Sequence, residues 1–226
     1  MNLTPAQKRI IEQVVNVFET GRPEGDYGAT TILNDGPHGI RQLTYGRSQT
    51  TEYGKLRVLV LSYAEAGGTY SRDLARYADR IGAVPLADDR QFRSLLRTAG
   101  RHDPVMRAVQ DAFFEQEFFL PAMAWATAHG LTLPLSALVV YDSFIHSGSI
   151  LPLIRRSFPD PTPTHGGEER AWTTAYVKAR DAWLASHPRA DVRRTVYRTQ
   201  CLSALIQADN WHLAMRPIRV RGVRVG

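Results

Sequence analysis

Seven of the chain's 17 glycines fall between positions 21 and 54, at 21, 25, 28, 36, 39, 46 and 54. Glycine weakens both helix and strand interiors, so this window holds only short extended runs joined by turns. Two such runs, 29–33 and 40–45, flank Asn34-Asp35-Gly36-Pro37, a β-hairpin signal with turn residues at its centre. Upstream, Thr4-Pro5 supplies an N-cap and a proline for the first helical turn. Ile10, Ile11, Val14, Val15, Val17 and Phe18 then recur at helical spacing until Glu19-Thr20-Gly21 stops the helix. After Gly54 the apolar spacing is helical almost throughout, predicting helices over 56–66, 70–81, 88–99, 103–129, 133–158, 166–187 and 191–207. The run Ala137-Leu138-Val139-Val140-Tyr141 marks the 133–158 helix as the buried central one. The Pro- and Gly-rich stretch 159–167 reads as a surface loop, and the arginine–valine alternation of 216–226 as a weak strand or loose arm. The fold class is α+β, predominantly α-helical, with one domain spanning 1–226.

Charge narrows the partners. The chain has 28 basic against 22 acidic residues, net +6, and 25 of the 28 are arginines. Fixed, forked cations suit an anionic partner. They are scattered from Arg9 to Arg224, however, with doublets only at Arg155-Arg156 and Arg193-Arg194 and no aromatic–basic alternation, which disfavours nucleic acid. The single cysteine, Cys201, excludes an intrachain disulfide, and the seven histidines form no metal-ligand spacing, so no metal or cofactor is expected. No apolar run approaches the roughly 18–20 residues of a membrane span. The N-terminus lacks a basic segment followed by an apolar one. A cytoplasmic protein, one shorn of its signal and one exported by another route all fit.

Two carboxyl groups stand out. Glu19 follows Phe18 at the end of an apolar helix, where desolvation and the negative helix terminus both favour its protonated form. Asp35 sits in the hairpin turn, a wetter place where a carboxylate keeps its charge. Glycoside hydrolysis uses such a pair, one acid to protonate the leaving oxygen and one base to activate water. The bland alternative is a solvated helix end and an ordinary Asn-Asp-Gly turn. Asp142 lies inside the most apolar helix, which is costly unless it is paired, and Arg180 and Arg198 on later helices are the candidate partners. Such a network either orients a neighbouring catalytic group or simply clamps helices. His146 reads as a packed or capping histidine.

The ordered set of Glu19, Asp35-Gly36, the Gly46 segment, Tyr141-Asp142-Ser143-Phe144-Ile145-His146-Ser147-Gly148, Gly166-Gly167-Glu168-Glu169, Ala179-Arg180 and Ala208-Asp209-Asn210-Trp211 resembles the family 46 glycoside hydrolases. These are bacterial chitosanases of the lysozyme superfamily. The resemblance implies a lysozyme-like fold, a helical body and small N-terminal sheet forming two lobes around a substrate cleft, and an extracellular setting. It implies Glu19 as general acid, Asp35 as general base and inversion at the anomeric carbon, with carboxyls roughly 6.5–9.5 Å apart. It also implies that Asp142, Arg180 and Arg198 form the charged network behind the acid. Thr44 is the counterpart of the family's water-holding threonine, although this hairpin is one residue longer.

One departure bears on substrate. The family carries an aspartate before the helix that follows the hairpin, against a glucosamine amine. This chain has Thr50-Thr51-Glu52-Tyr53-Gly54-Lys55, so Glu52 is the substitute, with Arg41 and Tyr45 as further substrate contacts and Tyr27, Tyr53 and Trp211 as other possible stacking rings. Lys55 and the net +6 work against a polycation such as chitosan. The sequence therefore points to an endo-acting hydrolase of β-1,4 bonds in an amino-sugar polysaccharide, chitosan by resemblance. A peptidoglycan muramidase is the alternative, and a silent anionic-polymer-binding module is the non-enzymatic one.

Overall fold

The computed structural model describes residues 1–47 and 49–226, which divide into two compact units, Glu19–Glu115 and Met1–Phe18 with Gln116–Gly226. Helix α1 (Pro5–Thr20) begins as the sequence predicts, and its buried face is Ile10, Ile11, Val14, Val15, Val17 and Phe18. Reciprocal bonds between Thr4 and Gln7 close its first turn, Gln7 N–H donating to Thr4 Oγ1 and Thr4 N–H to Gln7 Oε1.

The unit of residues 19–115 opens with the sheet. Strands β1 (Thr30–Leu33), β2 (Gln42–Tyr45) and β3 (Thr50–Thr51) form an antiparallel sheet in sequence order, with Leu33 opposite Gln42 and Thr44 opposite both Thr31 and Thr51. Gly46 turns at φ +85°, and a Cβ there would lie 2.5 Å from the side-chain oxygen of Gln110, so no larger residue fits. That fully buried glutamine ties the sheet to its helices, accepting from Arg47 N–H and donating to the Tyr27 carbonyl. Behind the sheet, α2 (Leu56–Ala66) packs on α3 (Ser71–Ala75) and α5 (Pro104–Phe114), and α4 (Arg90–His102) packs on both of those. Asp89 caps α4 through Phe92 N–H, and Asp103 caps α5 through Val105 N–H while receiving the Tyr63 hydroxyl at 2.5 Å. The helix expected over 70–81 is only one turn long, because the chain closes successive tight turns between Arg76 and Val84.

In the other unit, α7 (Pro134–Ser147) is the central helix, buried on every side from Pro134 to Ser143. It packs against α6 (Leu120–Ala128), α9 (Glu169–Ser186) and α11 (Tyr197–Gln207). Gly148, left-handed at φ +76°, ends α7 eleven residues short of the predicted 133–158 span, and α8 (Pro152–Arg155) follows as a single turn. The 191–207 helix is likewise interrupted, by the short α10 (Ala190–Arg193) and a 3₁₀ turn before α11. The 216–226 tail is a hairpin, β4 (Ile218–Val220) with β5 (Val223–Val225), whose Ile218, Val220 and Val225 join the core. The fold is α+β and predominantly helical. Among the described residues no helix is long and apolar enough to cross a membrane.

Candidate active site

Glu19 occupies the last turn of α1, half-buried, directly after Phe18. Asp35 is half-buried two residues past β1, in a loop folded back on itself by Gly36 N–H donating to Ile40 O. His38 and Gly39 both adopt positive φ within that loop. The Asp35 carboxylate accepts from the side-chain nitrogen of Gln42 at 2.8 Å. Gln42, the first residue of β2, was not singled out from the sequence. Only its position, opposite Leu33 in the hairpin, could have drawn attention to it.

Two hairpin assignments change, and that of Thr44 is narrowed. Thr44 is 4 % exposed, and its hydroxyl donates within the sheet, toward Gln49 Oε1 at 2.6 Å and Thr31 O at 3.3 Å. A hydroxyl has one proton, so Thr44 holds a water beside Asp35 only as an acceptor. Glu52 is 1 % exposed; its Oε2 accepts from Leu43 N–H at 2.9 Å and its Oε1 from Leu86 N–H at 2.6 Å. It therefore extends the β2 edge past the two-residue β3 and does not meet substrate. Tyr45 is fully buried, where desolvation pushes its phenol above the ordinary tyrosine value, so it is not a sugar platform. Trp211 is core as well. Arg41 remains accessible, its side chain half-exposed and salt-bridged to Asp88 at 3.0 Å. Tyr53 is half-buried, and Tyr27, also half-buried, donates its hydroxyl to Asp111.

The arginine–aspartate network forms as the sequence suggests. Arg180 Nη1 reaches Asp142 Oδ2 at 2.6 Å and Arg198 Nη1 reaches Oδ1 at 2.5 Å, all three side chains being at most 3 % exposed. Burial alone would raise the Asp142 value, but the two guanidinium charges outweigh it and hold the carboxyl below the ordinary range. Arg198 also lies over the Phe18 ring at 5.3 Å, and the Tyr197 hydroxyl caps the Phe18 carbonyl at 2.7 Å. The network thus grips the end of α1 at the residue preceding Glu19. His146, on the same helix as Asp142, is lowered to about 3 by burial and by the Arg198 and Arg180 charges, so it is neutral and no base at working pH. Burial pushes the Cys201 thiol up to about 12, leaving it unreactive.

The other stretches behind the resemblance hold structure together. Glu169 accepts from Thr132 N–H and Leu133 N–H ahead of α7, and Asn210 makes paired bonds to the backbone of Met215.

Fold and family match together define the class, a lysozyme-like glycoside hydrolase. Residues 13–218 match the model for glycosyl hydrolase family 46, and the chain belongs to that family. It is 30 % identical to the chitosanase of Bacillus subtilis (strain 168) over 243 aligned residues, covering 99 % of this chain and 85 % of the relative. Its fold superposes with a TM-score of 0.84 on the family 46 chitosanase of Gynuella sunshinyii in complex with chitotetraose, at 24 % identity and covering 99 % and 98 % of the two chains. A mutant chitosanase from Bacillus subtilis MY002 complexed with 6 GlcN superposes at 0.82, with 26 % identity and coverage of 97 % and 96 %.

Proposed function

We propose that this glycoside hydrolase cleaves internal β-1,4 bonds of chitosan by inversion, with Glu19 as general acid and Asp35 as general base. The observation that carries the reading is the Asp35 carboxylate fixed in the hairpin turn by Gln42, in a chain whose α1 carries Glu19 in its last turn. The relatives named chitosanase support the substrate. The Glu19 carboxyl gives its proton to the glycosidic oxygen as the C1–O bond breaks. A water attacks C1 from the opposite face and loses its proton to Asp35. Both carboxyls then exchange protons with solvent. Asp142, Arg180 and Arg198 act behind this chemistry by holding Phe18 and so the last turn of α1.

Glu19→Gln and Asp35→Asn should each lower kcat by about 10²–10⁴-fold, the usual worth of a general acid or base. Proton NMR on the first-formed product should show the α anomer. A β product, or full activity in either variant, overturns the assignment.

One observation favours a second substrate. Glu52, the residue that was to meet the glucosamine ammonium, has both oxygens committed inside the fold, while Arg41 and Lys55 are exposed on the same stretch. That stretch suits an N-acetylated amino-sugar polymer such as peptidoglycan. Fully deacetylated chitosan and purified sacculi, digested in parallel and read by product mass, separate the two. Release from sacculi alone would exclude chitosan. The silent-binding alternative requires no turnover of either.

A further inference from the structure

We propose that Gln42 is a positioning residue for the general base, setting the plane of the Asp35 carboxylate so that one oxygen is aimed at the attacking water. This rests on the reading of Asp35 as the base. Gln42 is 5 % exposed, and both ends of its amide are engaged: Nε2 donates to Asp35 Oδ1 at 2.8 Å and Oε1 accepts from Tyr53 N–H at 3.3 Å. A backbone N–H can only donate, so Tyr53 assigns the carbonyl end of the amide, and the NH₂ end must face Asp35. The β1–β2 register puts Gln42 opposite Leu33, and the Gly36–Ile40 bond folds the intervening loop so that Asp35 returns over the start of β2.

The backbone of its turn and the amide of Gln42 both act on the base. A donor on one carboxylate oxygen fixes where the other points, and a general base loses rate when its lone pair is misdirected by even about an ångström. Thr44 directs its hydroxyl proton to Gln49 and Thr31 rather than to Asp35. The titratable and charged groups on the surrounding segments include His38 in the same loop, Arg41 before β2, paired with Asp88, and Glu52, Tyr53 and Lys55 after β3.

The test uses Gln42→Met, similar in size but unable to donate, Gln42→Glu, and Asp35→Asn, each checked by circular dichroism and thermal melting. Rates are measured on fully deacetylated chitosan, or on sacculi if those are what the wild type cleaves. Gln42→Met should lower kcat at least about tenfold with KM within twofold of wild type. Gln42→Glu sets a second carboxyl against Asp35, where both resist ionising together, so the acid limb of its kcat–pH profile should move up by about one unit. A shifted limb shows that position 42 faces the base, and the loss of kcat at unchanged KM shows that the amide positions it. Should Gln42→Met fail to fold, Gln42→Asn, whose shorter amide does not span the same gap, is read for the same kcat loss. An inactive Asp35→Asn together with an unshifted limb in Gln42→Glu, or an undiminished kcat in a folded Gln42→Met, overturns the proposal while leaving the base assigned. An active Asp35→Asn overturns the base itself, and the role of Gln42 with it.

Discussion

Both oxygens of Glu52 are used within the protein, one on Leu43 N–H and one on Leu86 N–H. Its composition context, a carboxylate beside Lys55 just before α2, suits a substrate contact equally well, which is why sequence reading places it there. Sequence shows a residue's chemistry but not whether its lone pairs are already satisfied. The Asp142–Arg180–Arg198 network was legible because an acid in a helix core breaks a local rule and calls for partners; Glu19 drew attention as an acid at an apolar helix end, and Asp35, in an ordinary turn, only as its complement. Gln42 breaks none and was invisible. Glu52→Gln supplies an NH₂ group where a backbone N–H needs an acceptor. It should cost about 1–3 kcal/mol in urea denaturation while leaving KM unchanged. A raised KM at unchanged stability would return Glu52 to the substrate site.

Helical segments were legible in place and face but less so in their number and ends. The 103–129 span reads as one helix because its apolar period is unbroken. In the structure, α5 stops at Phe114, Glu115–Phe119 form a π-helical turn, and α6 begins at Leu120. Pro121 accounts for the break: it cannot donate to the carbonyl four residues back, and its ring clashes there unless the turn widens. Alternation, by contrast, made the 216–226 hairpin partly readable. Its register sets Arg219 directly opposite Arg224, both exposed, and among the described residues neither has an acidic partner. Like charges in such a pair oppose folding. Arg219→Glu should therefore raise stability by about 0.2–1 kcal/mol at low salt, and the gain should shrink as salt is added. An unchanged melting temperature at low ionic strength would show that solvent already screens the pair.

At the scale of the whole molecule, charge is divided unevenly. Residues 19–115, which carry Glu19 and Asp35, contain thirteen acidic and thirteen basic residues, so the entire net +6 belongs to the other unit. The objection that a basic protein repels a polycation thus loses force for the unit that holds both proposed catalytic carboxyls. The basic unit must instead keep Asp142, Arg180, Arg198 and His146 in fixed charge states, and this makes its stability depend on pH. The His146 value falls from 6.5 unfolded to about 3 folded, so the unfolded chain binds the extra proton across that window. Stability is then full above 6.5 and declines as pH drops toward about 3, by at most about 1.4 kcal/mol per pH unit for one proton. Asp142 is also depressed, so its contribution is present above the ordinary carboxylate value and is lost only as pH falls through its lower folded one. Between about pH 6 and pH 4, His146 is the titrating member of the pair, and below that Asp142 joins it. Urea denaturation across this range should show a sloping decline that flattens in His146→Gln, with the steeper acid loss below about pH 4 retained. Asp142→Asn should instead cost about 3–5 kcal/mol at neutral pH, because two buried guanidiniums lose their counter-charge. A His146→Gln variant with the wild-type slope between pH 6 and 4 would move that proton to another group.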